Sequence, residues 1–143
     1  MLLVYSKEIK KGRQNNKKYT FAFDLDATLC QHIRRHHPED ILRVKPIKKW
    51  LDVLLELKGR GHTIIIFTRR GVLPQGHELT EQWLKKWKIP YDELITDKPH
   101  FDILIDDRAF EIYKSEINAT ILENAAEFRK EHIKKLTIRG GKK

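Results

Sequence analysis

The sequence predicts an α/β fold, three layers with a mainly parallel sheet between helices, and three observations predict it. Short β-prone apolar runs recur along the chain, each stopping abruptly at a polar residue. Segments with helical apolar spacing lie between them. Strands alternating with helices in this way pair in parallel and are covered on both faces. The 143 residues suffice for one domain, 1–143, with basic ends, and leave no room for a second independent core.

The elements follow in order. Tyr19-Thr20-Phe21-Ala22-Phe23 reads as a buried strand ending at Asp24. Upstream, Leu2 to Ile9 reads either as a further strand or as a frayed extension. Gln31 to Asp40, with His32, Arg34, Arg35, His36 and His37, reads as a loop or flap. Pro46 opens a helix in which Ile47, Trp50, Leu51, Leu54, Leu55 and Leu57 follow at helical spacing until Gly59 and Gly61 stop it. Thr63-Ile64-Ile65-Ile66-Phe67 is the clearest buried strand and ends at Thr68. A loop with Gly71, Pro74 and Gly76 leads to a helix over Glu78 to Lys88, its inner face Leu79, Trp83, Leu84 and Trp87. Tyr91 to Thr96 and Phe101 to Ile105 read as two more strands, the second ending at Asp106-Asp107. Ala119 to Lys135 closes the pattern as a helix with Ile121, Leu122, Ala125, Phe128 and Ile133 inward.

Composition narrows the classes. Hydrophobic residues make up 40% and charged residues 34%, which fits a globular chain and neither a disordered tail nor a membrane protein. No apolar stretch approaches the ~18 residues of a membrane span, and Lys7 and Glu8 interrupt the first apolar residues too early for a signal peptide. The expectation is a cytoplasmic protein without a membrane partner. One cysteine, Cys30, excludes an intrachain disulfide framework and reads as a small buried hydrophobe. The formal charge of +9 favours phosphates or nucleic acid, although Lys10, Lys11, Arg13, Lys17, Lys18, Arg139, Lys142 and Lys143 load much of it on the ends.

Three of the strands end in Asp24 and Asp26, in Thr68, and in Asp106 and Asp107. Ligands of an open α/β sheet bind beyond the carboxyl ends of its strands, so these residues are expected to meet at one crevice. Four carboxylates there repel by roughly 3 kcal/mol per pair at ~5 Å and an effective dielectric of about 20. A hard cation relieves this, and Mg²⁺ suits carboxylate, carbonyl and water oxygens while leaving room for a phosphate. His32, His36 and His37 match no strong metal spacing and read as part of a solvated flap.

Phe23-Asp24-Leu25-Asp26-Ala27-Thr28-Leu29 resembles the DxDxT signature of haloacid dehalogenase superfamily phosphatases, with Thr68, Lys98 and Asp106-Asp107 in the order of the remaining three motifs. The resemblance spans about residues 19 to 110 and implies a Rossmann-like sheet. Ala27 stands where the family commonly has glycine. The family implies Asp24 as nucleophile, forming an aspartyl-phosphate, and Asp26 as general acid and base. It implies Mg²⁺ held by the Asp24 carboxylate, the Asp26 carbonyl and Asp107, with Asp106 behind Asp107. Thr68 and Lys98 would hold and neutralise the phosphoryl group. Thr28, Arg34, Arg35 and Arg69 would meet the substrate, Arg69 and Arg70 otherwise being solvated or in contact with substrate rather than catalytic. Seven residues separate Lys98 from Asp106, too few for an intervening helix, so Arg69 and Arg70 stand as substitutes for Lys98.

Only 39 residues lie between Thr28 and Thr68, too few for an inserted cap domain beside the helix and strand already there. An open crevice leaves either a large substrate or another subunit, in a homo-oligomer, to cover it. The leading expectation is a Mg²⁺-dependent phosphomonoesterase for a small phosphorylated metabolite, a sugar phosphate or nucleotide. The Lys98-Pro99 and Ile105-Asp106-Asp107-Arg108 stretches are similar to those of small capless phosphatases of surface-sugar pathways. Two alternatives stand beside it: a polynucleotide end phosphatase, similar to phosphatase domains of polynucleotide kinase/phosphatase, and a non-catalytic module that binds phosphate or nucleic acid.

Overall fold

The computed structural model describes residues 16–33, 37–113 and 116–137. The Leu2–Ile9 segment, Arg34, Arg35 and His36, and the basic residues of both ends apart from Lys17 and Lys18 lie outside them. The chain divides into two units, one from Lys18 to Asp102 and one holding Lys17 and the residues from Ile103 onward.

The first unit carries β1 (Thr20–Phe23), α1 (Asp40–Arg43), α2 (Lys48–Gly59), β2 (Thr63–Phe67), α3 (Gly76–Lys86) and β3 (Glu93–Ile95). A single 3₁₀ turn, Arg70–Val72, follows β2. The strands form one sheet in the order β1-β2-β3, with both pairings parallel. Thr20 faces Thr63 and Phe23 faces Ile66, while Phe67 faces Ile95, so the strands finish at the same edge. A parallel sheet with helices between its strands agrees with the α/β class that the alternating pattern predicts.

Burial explains why these segments settle as they do. Ile64 and Ile66 are fully buried and Ile65 and Phe67 half-buried, so β2 is the centre of the sheet. Each of the two isoleucines contributes about 1.5–3 kcal/mol by leaving water. On α2, which packs on β2, the buried face is Trp50, Val53, Leu54 and Leu57. Leu55, expected inward, is 42% exposed, because it sits on the far side of the turn from Leu54 and Leu57. On α3 the buried face is Gly76, Thr80, Trp83 and Leu84; Trp83 also donates its indole N–H to the Val44 carbonyl at 2.8 Å. Asp92 ties the end of α2 to the sheet: its carboxylate accepts from Lys58 at 2.6 Å and from the Ile64 N–H at 2.7 Å. Both donors, Lys58 foremost, hold the Asp92 carboxyl below its usual range.

The second unit contains α4 (Ala119–Leu136), whose first turn is capped by Asn118 accepting from the Ile121 N–H at 2.8 Å. Lys17 donates to Glu127 at 2.7 Å, and Arg129 donates to the Ala109 carbonyl at 2.8 Å. Among the described residues, the strand expected over Phe101–Ile105 does not form. That segment pairs with none of the described strands, Ile103 and Ile105 are 76% and 94% exposed, and the division between the two units falls inside it. Its residues carry β-propensity, but that preference expresses fit to a half-buried pleated surface, which this segment does not have. Asp40–Arg43 forms a short helix where the sequence reads only as the end of a loop. Among the described residues, no helix is long and apolar enough to cross a membrane.

Candidate active site

Asp24 and Asp26 stand on a tight turn directly after β1. Leu25 and Leu29 are fully buried and draw the turn onto the core. The Leu25 carbonyl accepts from the N–H groups of Thr28, Leu29 and Cys30 at 3.0, 2.9 and 3.0 Å, and the Cys30 carbonyl accepts from Ala27 at 2.8 Å. With the apolar side chains inward, Asp24 and Asp26 are left on the wall of a cavity. Ala27 closes the turn at φ +65°, a left-handed conformation that costs a residue with a Cβ about 1–2 kcal/mol. Glycine relieves that cost and gives back part of it as unfolded-state entropy. Ala27→Gly is therefore expected to stabilise the protein by up to ~1 kcal/mol, read as a higher urea midpoint. An unchanged or lowered midpoint would show that the turn holds alanine without strain.

The loops after β2 and β3 meet through their backbones. Thr68 donates its N–H to the Ile95 carbonyl at 2.9 Å, and its own carbonyl accepts from the Lys98 N–H at 3.1 Å. Gly71 donates to the Thr96 carbonyl at 2.8 Å, and a Cβ at position 71 would come within 2.5 Å of that oxygen. Only glycine permits this approach, which keeps the loop carrying Lys98 against the loop carrying Thr68.

The cavity has a volume of about 240 Å³, and Asp24, Asp26, Thr68, Arg69, Arg70 and Lys98 all line it. Lys98 Nζ lies 3.7 Å from Asp24 Oδ1 and is packed near the rings of Phe67 and Phe101, 5.2 and 5.4 Å from their centres. Burial pushes the Asp24 carboxyl above its usual range, against the pull of Lys98 and of the Leu25 N–H, which donates to Oδ1 at 2.9 Å. The negative charge of Asp26 adds to the rise. Thr68 is buried, and its Oγ1 accepts from the Arg70 N–H at 3.3 Å.

Arg70 departs from its sequence reading. The sequence leaves it solvated or in contact with substrate; in the structure it is 2% exposed and forks onto Asp26, donating from Nε to Oδ2 at 3.2 Å and from Nη2 to Oδ1 at 2.9 Å. Nη2 also donates to Cys30 Sγ at 3.0 Å, and the guanidinium lies 5.6 Å from the Trp83 ring centre. Cys30 is buried as expected, and burial pushes its thiol up to about 12. A sequence signal for Arg70 did exist: it stands two residues beyond a strand-end threonine, on the edge where Asp26 also emerges.

The other expected site residues are distributed as follows. Arg69 lines the cavity half-buried, with a buried Nη1 that has no hydrogen-bond partner. Thr28 is buried in the turn and is not among the cavity residues. Arg34 and Arg35 lie outside the described residues. Asp106 and Asp107 belong to the other unit and are exposed. Asp106 accepts from the Arg108 N–H at 2.8 Å, which is the main reason its carboxyl falls below the usual range. His32 lines the cavity, and His37 lies 3.3 Å from Glu39.

As a candidate metal position, the cavity wall carries Asp24 and Asp26, residues with oxygen donors of the kind Mg²⁺ takes. The turn's backbone bonds run to the carbonyls of Leu25 and Cys30, and the Asp26 carboxylate is engaged by Arg70. Among the described residues, no group of three or more His, Cys, Asp and Glu is placed to hold a metal ion. The donor set in the cavity thus fits a cation that keeps several waters or phosphate oxygens, rather than a closed protein cage.

No protein-family model matches the chain, and no curated protein matches it. Among solved structures, the chain is similar to a crystal structure of a Vibrio cholerae protein, an MCSG target. The two are 27% identical with a TM-score of 0.53, over 85% of this chain and 100% of that one.

Proposed function

We propose that the chain is a Mg²⁺-dependent phosphomonoesterase of the haloacid dehalogenase type, capless and acting on a small phosphorylated metabolite. The observation that carries this reading is that Asp24, Asp26, Thr68 and Lys98, drawn from three separate stretches of sequence, line one cavity. Arg69, Arg70 and Lys98 outnumber the two carboxylates there, a balance that suits an anion. About 240 Å³ accommodates a phosphoryl group and a small part of its alcohol.

In this reading Asp24 attacks phosphorus, and Lys98, 3.7 Å from it, offsets the charge of the nucleophile and of the incoming dianion. Asp26 gives a proton to the departing oxygen and later takes one from the attacking water. Thr68 and Arg69 hold phosphoryl oxygens. Mg²⁺, on the Asp24 carboxylate and the Asp26 carbonyl, would supply charge neutralisation for the phosphoryl group.

The test is phosphate release from sugar phosphates, nucleotides and end-phosphorylated oligonucleotides, with Mg²⁺ and with excess chelator. Release from small esters that stops in chelator is expected. Release unaffected by chelator overturns the metal dependence. Salt-sensitive release from oligonucleotide ends alone moves the substrate to nucleic acid, because each neutralised single-strand phosphate lowers log K by ~0.7 per tenfold rise in salt. No release from any of them leaves a binding module.

A further inference from the structure

We infer that Arg70 is a positioning residue: its buried guanidinium sets the orientation of the Asp26 carboxyl so that Asp26 serves as the proton donor to the leaving oxygen. This rests on the phosphomonoesterase reading. A carboxyl on a turn has two free side-chain torsions, and a proton donor must present one oxygen in one direction. The fork supplies that constraint, since Nε and Nη2 take one oxygen each, at 3.2 and 2.9 Å, and fix the carboxyl plane. A carboxylate has about four lone-pair sites; the fork takes two and the Cys30 thiol, 3.7 Å from Oδ1, a third, so one remains for a proton.

The two partners differ in what they face. The Asp26 side chain keeps 23% of its surface exposed, whereas that of Arg70 keeps 1%. Arg70 is itself fixed from several sides, by the Trp83 ring, by Cys30 Sγ and by the bond from its N–H to Thr68 Oγ1. Arg70 also lines the cavity, and its Nη1, like that of Arg69, has no hydrogen-bond partner among the described residues, but its Nε and Nη2 are both engaged by Asp26. Arg69, half-buried and without a carboxylate partner among the described residues, is the arginine more open to a phosphate.

The chemistry separates the two roles. In the first step the Asp24 oxygen–phosphorus bond forms, the phosphorus–alkoxy bond breaks, and the departing oxygen takes the Asp26 proton. In the second, water bonds to phosphorus, the Asp24 oxygen–phosphorus bond breaks, and Asp26 recovers a proton from that water. An alkyl phosphate needs the proton donor, because alkoxide is a poor leaving group. 4-Nitrophenyl phosphate needs it far less.

The experiment compares kcat and KM for both esters in wild type, Arg70→Lys, Asp26→Asn and the double variant Arg70→Met/Asp26→Asn. The double variant leaves no unpaired buried charge and so guards against a simple folding failure. Asp26→Asn is expected to lose roughly 10²–10⁴-fold in kcat on the alkyl ester. Arg70→Lys should show the same bias, falling more than about tenfold on the alkyl ester and less than about threefold on the nitrophenyl ester at unchanged KM. The double variant should match Asp26→Asn alone. Equal losses on both esters with raised KM, or a double variant much worse than Asp26→Asn, would make Arg70 a phosphate ligand and overturn the assignment. Full alkyl-ester activity in Arg70→Lys would overturn it too. A wild-type protein inactive on both esters instead overturns the phosphomonoesterase reading, and the assignment with it.

Discussion

Asp24→Asn is expected to reduce phosphate release to background, a loss of roughly 10³-fold or more, while raising thermal stability at neutral pH. The first effect follows from removing the nucleophile. The second follows from the raised Asp24 carboxyl, chiefly a result of burial. A carboxyl raised in the folded state binds its proton more readily there than in the unfolded chain. Below the ordinary aspartate range both states are protonated and nothing is lost; as pH rises through the folded value, ionising Asp24 costs stability. Asparagine carries no such cost and still offers an oxygen to the Leu25 N–H. Melting temperatures of the two proteins should therefore converge in acid and separate toward neutrality, with the variant higher. Retained turnover would move the nucleophile elsewhere, and a variant melting lower at pH 7 would mean that the pair with Lys98 outweighs the burial of Asp24.

Trp83→Ala should cost at least about 3–5 kcal/mol, the range for truncating a large aromatic side chain in a core. Trp83 is the largest of the fully buried side chains. Its loss leaves a cavity, strips the Val44 carbonyl of its donor and removes the ring beside the buried Arg70 charge. Against a total stability of about 5–15 kcal/mol, much of the folded population should disappear in modest urea. Trp83→Phe keeps a ring and loses only the N–H and some volume, so its cost should be clearly smaller. Equal costs for the two would assign the effect to the Val44 hydrogen bond instead of to packing.

The sequence was most legible where one physical rule dominated. Thr63–Phe67 forms a strand over the expected residues, because a run of isoleucines has no stable place except the middle of a sheet. The helix expected from Ala119 ends within one residue of its predicted end, and Gly59 closes α2. Asp24, Asp26 and Thr68 were readable as neighbours because parallel strands deliver their ends to one edge; Lys98 was expected there only through the family resemblance, and Asp106 and Asp107, expected at the same edge, belong to the other unit. Side-chain pairing across elements was not readable. Arginine is seldom buried unless paired, and although its place just beyond a strand end puts Arg70 on the edge where Asp26 emerges, that place does not say that the two side chains, 44 residues apart, are paired. Phe101–Ile105 shows the converse: its local preference made no ladder with any of the described strands.

The enclosed thiol at Cys30 also determines how the protein can be handled. Thiolate is the species that alkylating reagents and oxidants attack, and a thiol pushed up to about 12 in a buried setting supplies almost none at neutral pH. The chain has no other cysteine, so it offers maleimides no reactive handle. A cysteine introduced at Val72, which is 58% exposed and lies on the cavity wall, would be the sole point of attachment. A fluorophore or spin label placed there would report on ligands entering the cavity without removing the native thiol.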